Sequence, residues 1–157
     1  MDSELIRLCG IYIKNKGPSA ETATPPRFVM MDISVSEADA YLRYNKELSF
    51  NERLFLLIDR TGLKDSEVYK KARIDRRLFS KIRSNKNYIP CKKTVIALCL
   101  ALELTREEAD SLLASAGYSL SRADDRDLAI AFCIEKSIFN LFDVNEIMVH
   151  FGFEVFE

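Results

Sequence analysis

The sequence predicts an all-α fold, and three observations carry that prediction. Turn residues are scarce, with five Gly and four Pro in 157 residues, too few for an all-β chain built of many hairpins. From Phe50 onward apolar residues recur at helical spacing, and capping signals close the runs. Residues 94–102, "TVIALCLAL", are an almost unbroken apolar run, which predicts a central helix buried on most sides.

The first 48 residues read as an N-terminal arm. Ile11 and Ile13 lean towards a short strand, "GPSAETATPP" (17–26) is a loop or linker by composition, and "RFVMMDISV" (27–35) reads as a second short strand. The two could pair as a hairpin or wrap separately onto the helices. Residues 36–48 have helical spacing, with Ala38, Tyr41 and Leu42 on one side.

Beyond the arm the helices follow closely. "NERLFLLIDRTG" places Leu54, Leu57 and Ile58 on one face and stops at Gly62, a natural helix end. "KDSEVYKKARI" follows with Asp65 or Ser66 as its cap and Val68 and Ala72 facing in. Asp75 caps the next helix, 76–84, whose core side is Leu78, Phe79 and Ile82; "NKNYIP" breaks it. After the apolar run of 94–102, Thr105 with Glu108 forms a capping box and Gly117 closes the helix it opens. Residues 124–139 read as an amphipathic helix with Leu128, Phe132, Ile138 and Phe139 inward. Asp143 with Glu146 opens a last short helix that Gly152 ends. The expected organisation is an arm at 1–48, a helical domain at 49–118, and a C-terminal helical extension at 119–157 packed on it.

Several chemistries are excluded by what the chain contains. No apolar run reaches 18 residues, so no membrane-spanning helix is expected. The N-terminal "MDSELIRLCG" has acids where a signal peptide carries positive charge, which points to the cytoplasm. Cys9, Cys91, Cys99 and Cys133 form no CxxC pair, and His150 is the single histidine, so no zinc site and no other metal is expected. Cys99 and Cys133 read as small core residues, and Cys91 as a loop thiol beside Lys92 and Lys93. Ser80 and Ser84 have no His near them in sequence to activate them, and Asp124, Asp125 and Asp127 are explained as acids at a helix N-terminus. No Walker A or GxGxxG segment is present. The expectation is a non-enzyme without cofactors.

Charge is segregated along the chain. Residues 61–93 hold eleven Lys/Arg and three acids, a net +8, whereas 94–157 hold four basic and twelve acidic residues, a net −8. A near-neutral total thus hides a basic middle, the footprint of a surface that binds an anionic partner.

The basic segment "YKKARIDRRLFSKIRSNKNYIPCKKT" lies inside a run of five helices, 51–117, that resembles the helix-turn-helix domain of the Xre/Cro/lambda-repressor type. Ile74 fills the apolar place in the turn, Asp75 the capping place, and Phe79 and Ile82 anchor the third helix. The segment is also similar to a variant of this domain at the C-terminal end of bacterial macro-domain proteins and other stress- or defence-linked proteins. The resemblance implies a five-helix lambda-repressor-like domain with two extra C-terminal helices, and a bacterial transcription regulator or DNA-binding module. It implies duplex DNA as partner, with Arg76, Arg77 and Lys81 on base edges in the major groove. Lys64, Arg83, Lys86, Asn87, Tyr88, Lys92 and Lys93 would then lie on phosphates. Three positions depart from the pattern: Asp65 where a phosphate-clamping Gln is common, Tyr69 where a small Ala lets helices pack closely, and Arg73 where a left-handed Gly is usual. They keep open an alternative, a non-catalytic interaction or adaptor module of a bacterial stress or phage-defence system that binds an acidic protein. Finally, Phe151, Phe153, Val155 and Phe156 crowd the C-terminus. So apolar a tail is expected to fold back on the preceding helices or to form a homodimer interface.

Overall fold

The computed structural model describes residues 34–157; the strand reading at 11–13 and residues 27–33 of the reading at 27–35, like Cys9, lie outside them. Ser34 and Val35, the end of that second reading, are instead the cap and first residue of a helix, because the Ser34 hydroxyl accepts from the Glu37 amide. The described residues are helical, with no strand among them. The chain divides between Lys46 and Glu47 into two units. In the first, helix α1 (Val35–Asn45) opens with a full capping box: Ser34 Oγ accepts from the Glu37 amide and Glu37 accepts from the Ser34 amide. Tyr41 and Leu42, read as one apolar side, are both exposed.

The second unit holds α2 (Phe50–Thr61), α3 (Asp65–Lys71), α4 (Arg76–Ser84), α5 (Lys92–Ala101), α6 (Arg106–Ser115), α7 (Asp125–Glu135) and α8 (Leu141–His150). Ser49 and Glu52 form the capping box of α2. The cap position of α3 is Lys64 rather than Asp65 or Ser66; Lys64 has no side-chain acceptor, and the Glu67 carboxylate instead takes the Lys64 N–H at 2.7 Å. Asp75 caps α4 as expected, accepting from the Arg77 amide at 2.7 Å. Thr105 accepts from the Glu108 amide, but the Glu108 carboxylate pairs with Arg60 on α2.

One apolar core runs through α2–α8. Every residue from Val95 to Ala101 is buried, so α5 is the central helix, packed against α3 and α6. Leu54, Ile58, Val68, Phe79, Ile82, Leu112 and Leu113 close around it, and Ile130, Ile134, Val144, Met148 and Phe156 continue the same core into the C-terminal third. Side chains also hydrogen-bond backbone carbonyls far along the chain. Asn51 Nδ2 donates to the Ile82 carbonyl at 2.7 Å, buried, and Tyr118 Oη donates to the Pro90 carbonyl at 2.9 Å.

Two expectations for the C-terminal helices are corrected. Helix α7 stops at Glu135, four residues before the expected end, because Ser137 turns left-handed (φ 59°) and the Ile138 amide donates back to the Cys133 carbonyl. Its facing also differs: Leu128 and Phe132 are 44% and 50% exposed, while Ile130, Cys133 and Ile134 go into the core. Helix α8 starts at Leu141, with Asn140 rather than Asp143 as its cap.

Candidate nucleic-acid interface

The basic segment forms a short helix, a four-residue turn and a second helix. Helix α3 ends in a Schellman motif: the Arg73 amide donates to the Lys70 carbonyl and the Ile74 amide to the Tyr69 carbonyl. Arg73 carries the left-handed conformation itself, at φ 53°, so the turn keeps its shape without glycine. Tyr69 does not hold the helices off; its ring lies 5.7 Å from that of Phe79, tilted by 50°. Phe55 of α2 meets Phe79 edge-on at 6.0 Å. Phe79 and Ile82 are buried, and this anchoring fixes which side of α4 faces solvent.

That outer side carries Arg76, Arg77 and Lys81, all exposed. None of the three has an acid within ion-pair distance among the described residues. Lys81 Nζ sits 4.4 Å from the centre of the Tyr88 ring, which steers its side chain. Lys64, Lys86 and Asn87 are exposed as well. Lys70 and Lys71 add exposed charge at the end of α3 that the sequence reading did not assign.

The remaining cations are committed elsewhere. Arg83 donates twice to Asp65, at 2.6 and 2.7 Å, and lies over the Phe55 ring at 4.0 Å. The hydrogen bond to Asp65 raises the Arg83 pKa above its usual value. Lys92 Nζ donates to the buried Asp127 carboxylate at 2.6 Å, and the same oxygen accepts from the Ser121 amide at 2.9 Å. Lys93 Nζ donates to Glu154 at 2.8 Å and holds that carboxyl below the usual carboxylate range. These partners lie 18, 35 and 61 residues away in sequence, so no local pattern points to them.

The C-terminal aromatic residues separate. Phe156 is buried, with Asn145 clamping its backbone: the Phe156 amide donates to Asn145 Oδ1 at 2.8 Å and Asn145 Nδ2 donates to the Phe156 carbonyl at 2.7 Å. Phe153 and Val155 are half-buried, and Phe151 is exposed and stacked on Phe153 at 6.0 Å.

Among the described residues no cluster of three His, Cys, Asp or Glu is placed to hold a metal ion, and no helix is long and apolar enough to cross a membrane. No protein-family model, no curated protein and no solved structure matches this chain.

Proposed function

We propose that this chain is a helix-turn-helix DNA-binding protein of the Xre-like type, with α4 as the helix that enters the major groove. One observation carries the reading. Helix α4 is pinned by Phe79 and Ile82 on one side and presents Arg76, Arg77 and Lys81 on the other, with no acid partner among the described residues. Long cationic donors on a rigidly held helix are what base-edge recognition needs, since Arg reaches a guanine edge bidentately and Lys reaches the same atoms. Arg77 and Lys81 are i,i+4 neighbours and advance along the groove together. Lys64, Lys86 and Asn87 supply phosphate contacts. Arg83, Lys92 and Lys93 are held back by acids of the chain itself.

Those neutralised cations leave a smaller positive face, and this favours the second reading, an acidic protein partner on the same face. Selection of duplexes from a random library, followed by anisotropy titration at low and moderate salt, separates the two. For a DNA reader, Arg77→Ala costs about 1–3 kcal/mol on the selected site and blurs its sequence preference. Lys86→Ala weakens all duplexes alike and lowers the salt slope by about one unit. Binding without base preference, unchanged by Arg77→Ala, ends the DNA-reading proposal.

A further inference from the structure

The face of α7 and α8 opposite the core is a trough. A cavity of about 500 Å³ is walled by Leu128 and Phe132 of α7, Ile147 of α8, and Phe151 and Phe153. A second, of about 420 Å³, shares Ile147 and Phe151 and continues along α8 past Glu146 and His150. Leu128 and Phe132 are spaced i,i+4, as are Ile147 and Phe151, so two apolar stripes border the same groove. That is the seat of a third helix laid between two others. The stripes stay exposed, Phe132 at 50% and Phe151 at 61%.

The charges along the trough select its occupant. Asp125 lines one part, and Asp143 and Glu146 line the other. None of these three carboxylates has an ion-pair partner among the described residues. Among the described residues His150 is the one basic side chain in the lining. An acidic peptide, a nucleic acid or an anionic membrane would be repelled, and a second copy docked about a two-fold axis would set these carboxylates against each other. We propose that the trough seats a basic amphipathic helix of another protein, its apolar stripe on Phe132 and Ile147 and its Lys/Arg flanks on Asp125, Asp143 and Glu146. This rests on residues none of which belongs to the basic face of α3 and α4, so it stands or falls apart from the DNA reading.

The test uses the full chain and three labelled peptides of about 18 residues, five helical turns. One is a Leu/Lys amphipathic helix, one is its Leu/Glu counterpart, and one is the Leu/Lys composition permuted to lose helical periodicity. Anisotropy is expected to show the amphipathic Leu/Lys peptide binding about tenfold or more tighter than either control. Phe132→Ser, at a half-exposed position that leaves the melting temperature near that of the parent, should remove that advantage. Glu146→Lys with Asp143→Asn should transfer preference to the Leu/Glu peptide. Equal binding of the permuted peptide, or binding indifferent to Phe132→Ser, reduces the effect to bulk charge and overturns the proposal. It is overturned equally if sedimentation shows a dimer of the free chain that Phe132→Ser dissociates, for the seat then belongs to a second copy.

Discussion

Arg73, Glu103 and Ser137 occupy the left-handed region at φ 53°, 53° and 59°, where a Cβ is sterically disfavoured by about 1–2 kcal/mol. Each sits where a Schellman motif reverses the chain, and each is followed by an apolar residue, Ile74, Leu104 or Ile138, that packs into or against the core. Burial of that next side chain holds the turn in place of a glycine. Glu103→Gly should therefore raise stability by about 0.5–1 kcal/mol, the relief of strain less the added chain entropy of glycine. Urea unfolding checks it: the midpoint should rise with an unchanged slope. The ends at Gly62, Gly117 and Gly152 are readable from sequence because glycine announces itself; the end at Ser137 is not, and apolar spacing alone extends the helix to Phe139. The cysteines divide at the same scale. Cys91 is exposed, with its Sγ 3.3 Å from the Thr94 hydroxyl, a hydrogen bond that lowers the thiol pKa. Burial pushes Cys99 up to about 12 and also raises Cys133. Iodoacetamide in native buffer should label Cys91 ahead of Cys99 and Cys133, which react only on unfolding; peptide mass mapping that finds Cys99 labelled as fast as Cys91 would contradict the buried α5.

At the scale of elements, α4 and α7 show when facing can be read from a sequence. Helix α4 alternates cations with Leu78, Phe79 and Ile82, so only one side can go inward, and the expected side does. Phe79 is 3% exposed, and Phe79→Ala should cost about 3–5 kcal/mol in chemical denaturation. Residues 128–134 of α7, "LAIAFCI", are apolar throughout. Any face would serve such a run, so its neighbours α6 and α8 decide, and they leave Leu128 and Phe132 outside. Ion pairs between elements are equally hidden from local pattern. Asp65 reads as a group that repels phosphate, yet it is the partner of Arg83, joining α3 to α4 across the motif. The pair is partly exposed, so Asp65→Ala should cost no more than about 1 kcal/mol of stability. It frees a guanidinium beside the proposed groove, and on the DNA reading duplex affinity should rise. An anisotropy titration in which affinity stays level or falls would remove Arg83 from the set of phosphate contacts.

Over the whole molecule, the acidic C-terminal third and the basic middle are folded into one core, and the chain end links them. Glu154 pairs with Lys93 of α5, its carbonyl lies 3.4 Å from two Arg126 nitrogens, and the Phe156 carbonyl lies 3.4 Å from Arg73 Nη1. Composition foretold a tail too apolar to stay in water, and its two offered fates were legible; the choice between them was not, because it depends on Asn145, a polar residue eleven positions earlier with no sequence mark of its role. Two parts of the tail's attachment should respond differently to acid. The Glu154 carboxyl has a folded pKa below its unfolded value, so its contribution is present above the ordinary carboxylate range and is lost as pH falls through the lowered folded pKa. The Phe156 anchor and the Asn145 clamp carry no titrating group and persist. Deleting residues 152–157 should thus destabilise the chain at neutral and mildly acidic pH alike. The loss should be about 3 kcal/mol, since a buried Phe is removed and the pocket at Ala72, Ala97 and Ile74 is left open. Phe156→Ala should reproduce most of that loss, whereas Glu154→Gln should remove only the acid-sensitive part. Denaturation of the three variants at two pH values, with sedimentation to read mass, discriminates: a change in mass with no change in stability would mean that the tail joins protomers instead of closing its own core.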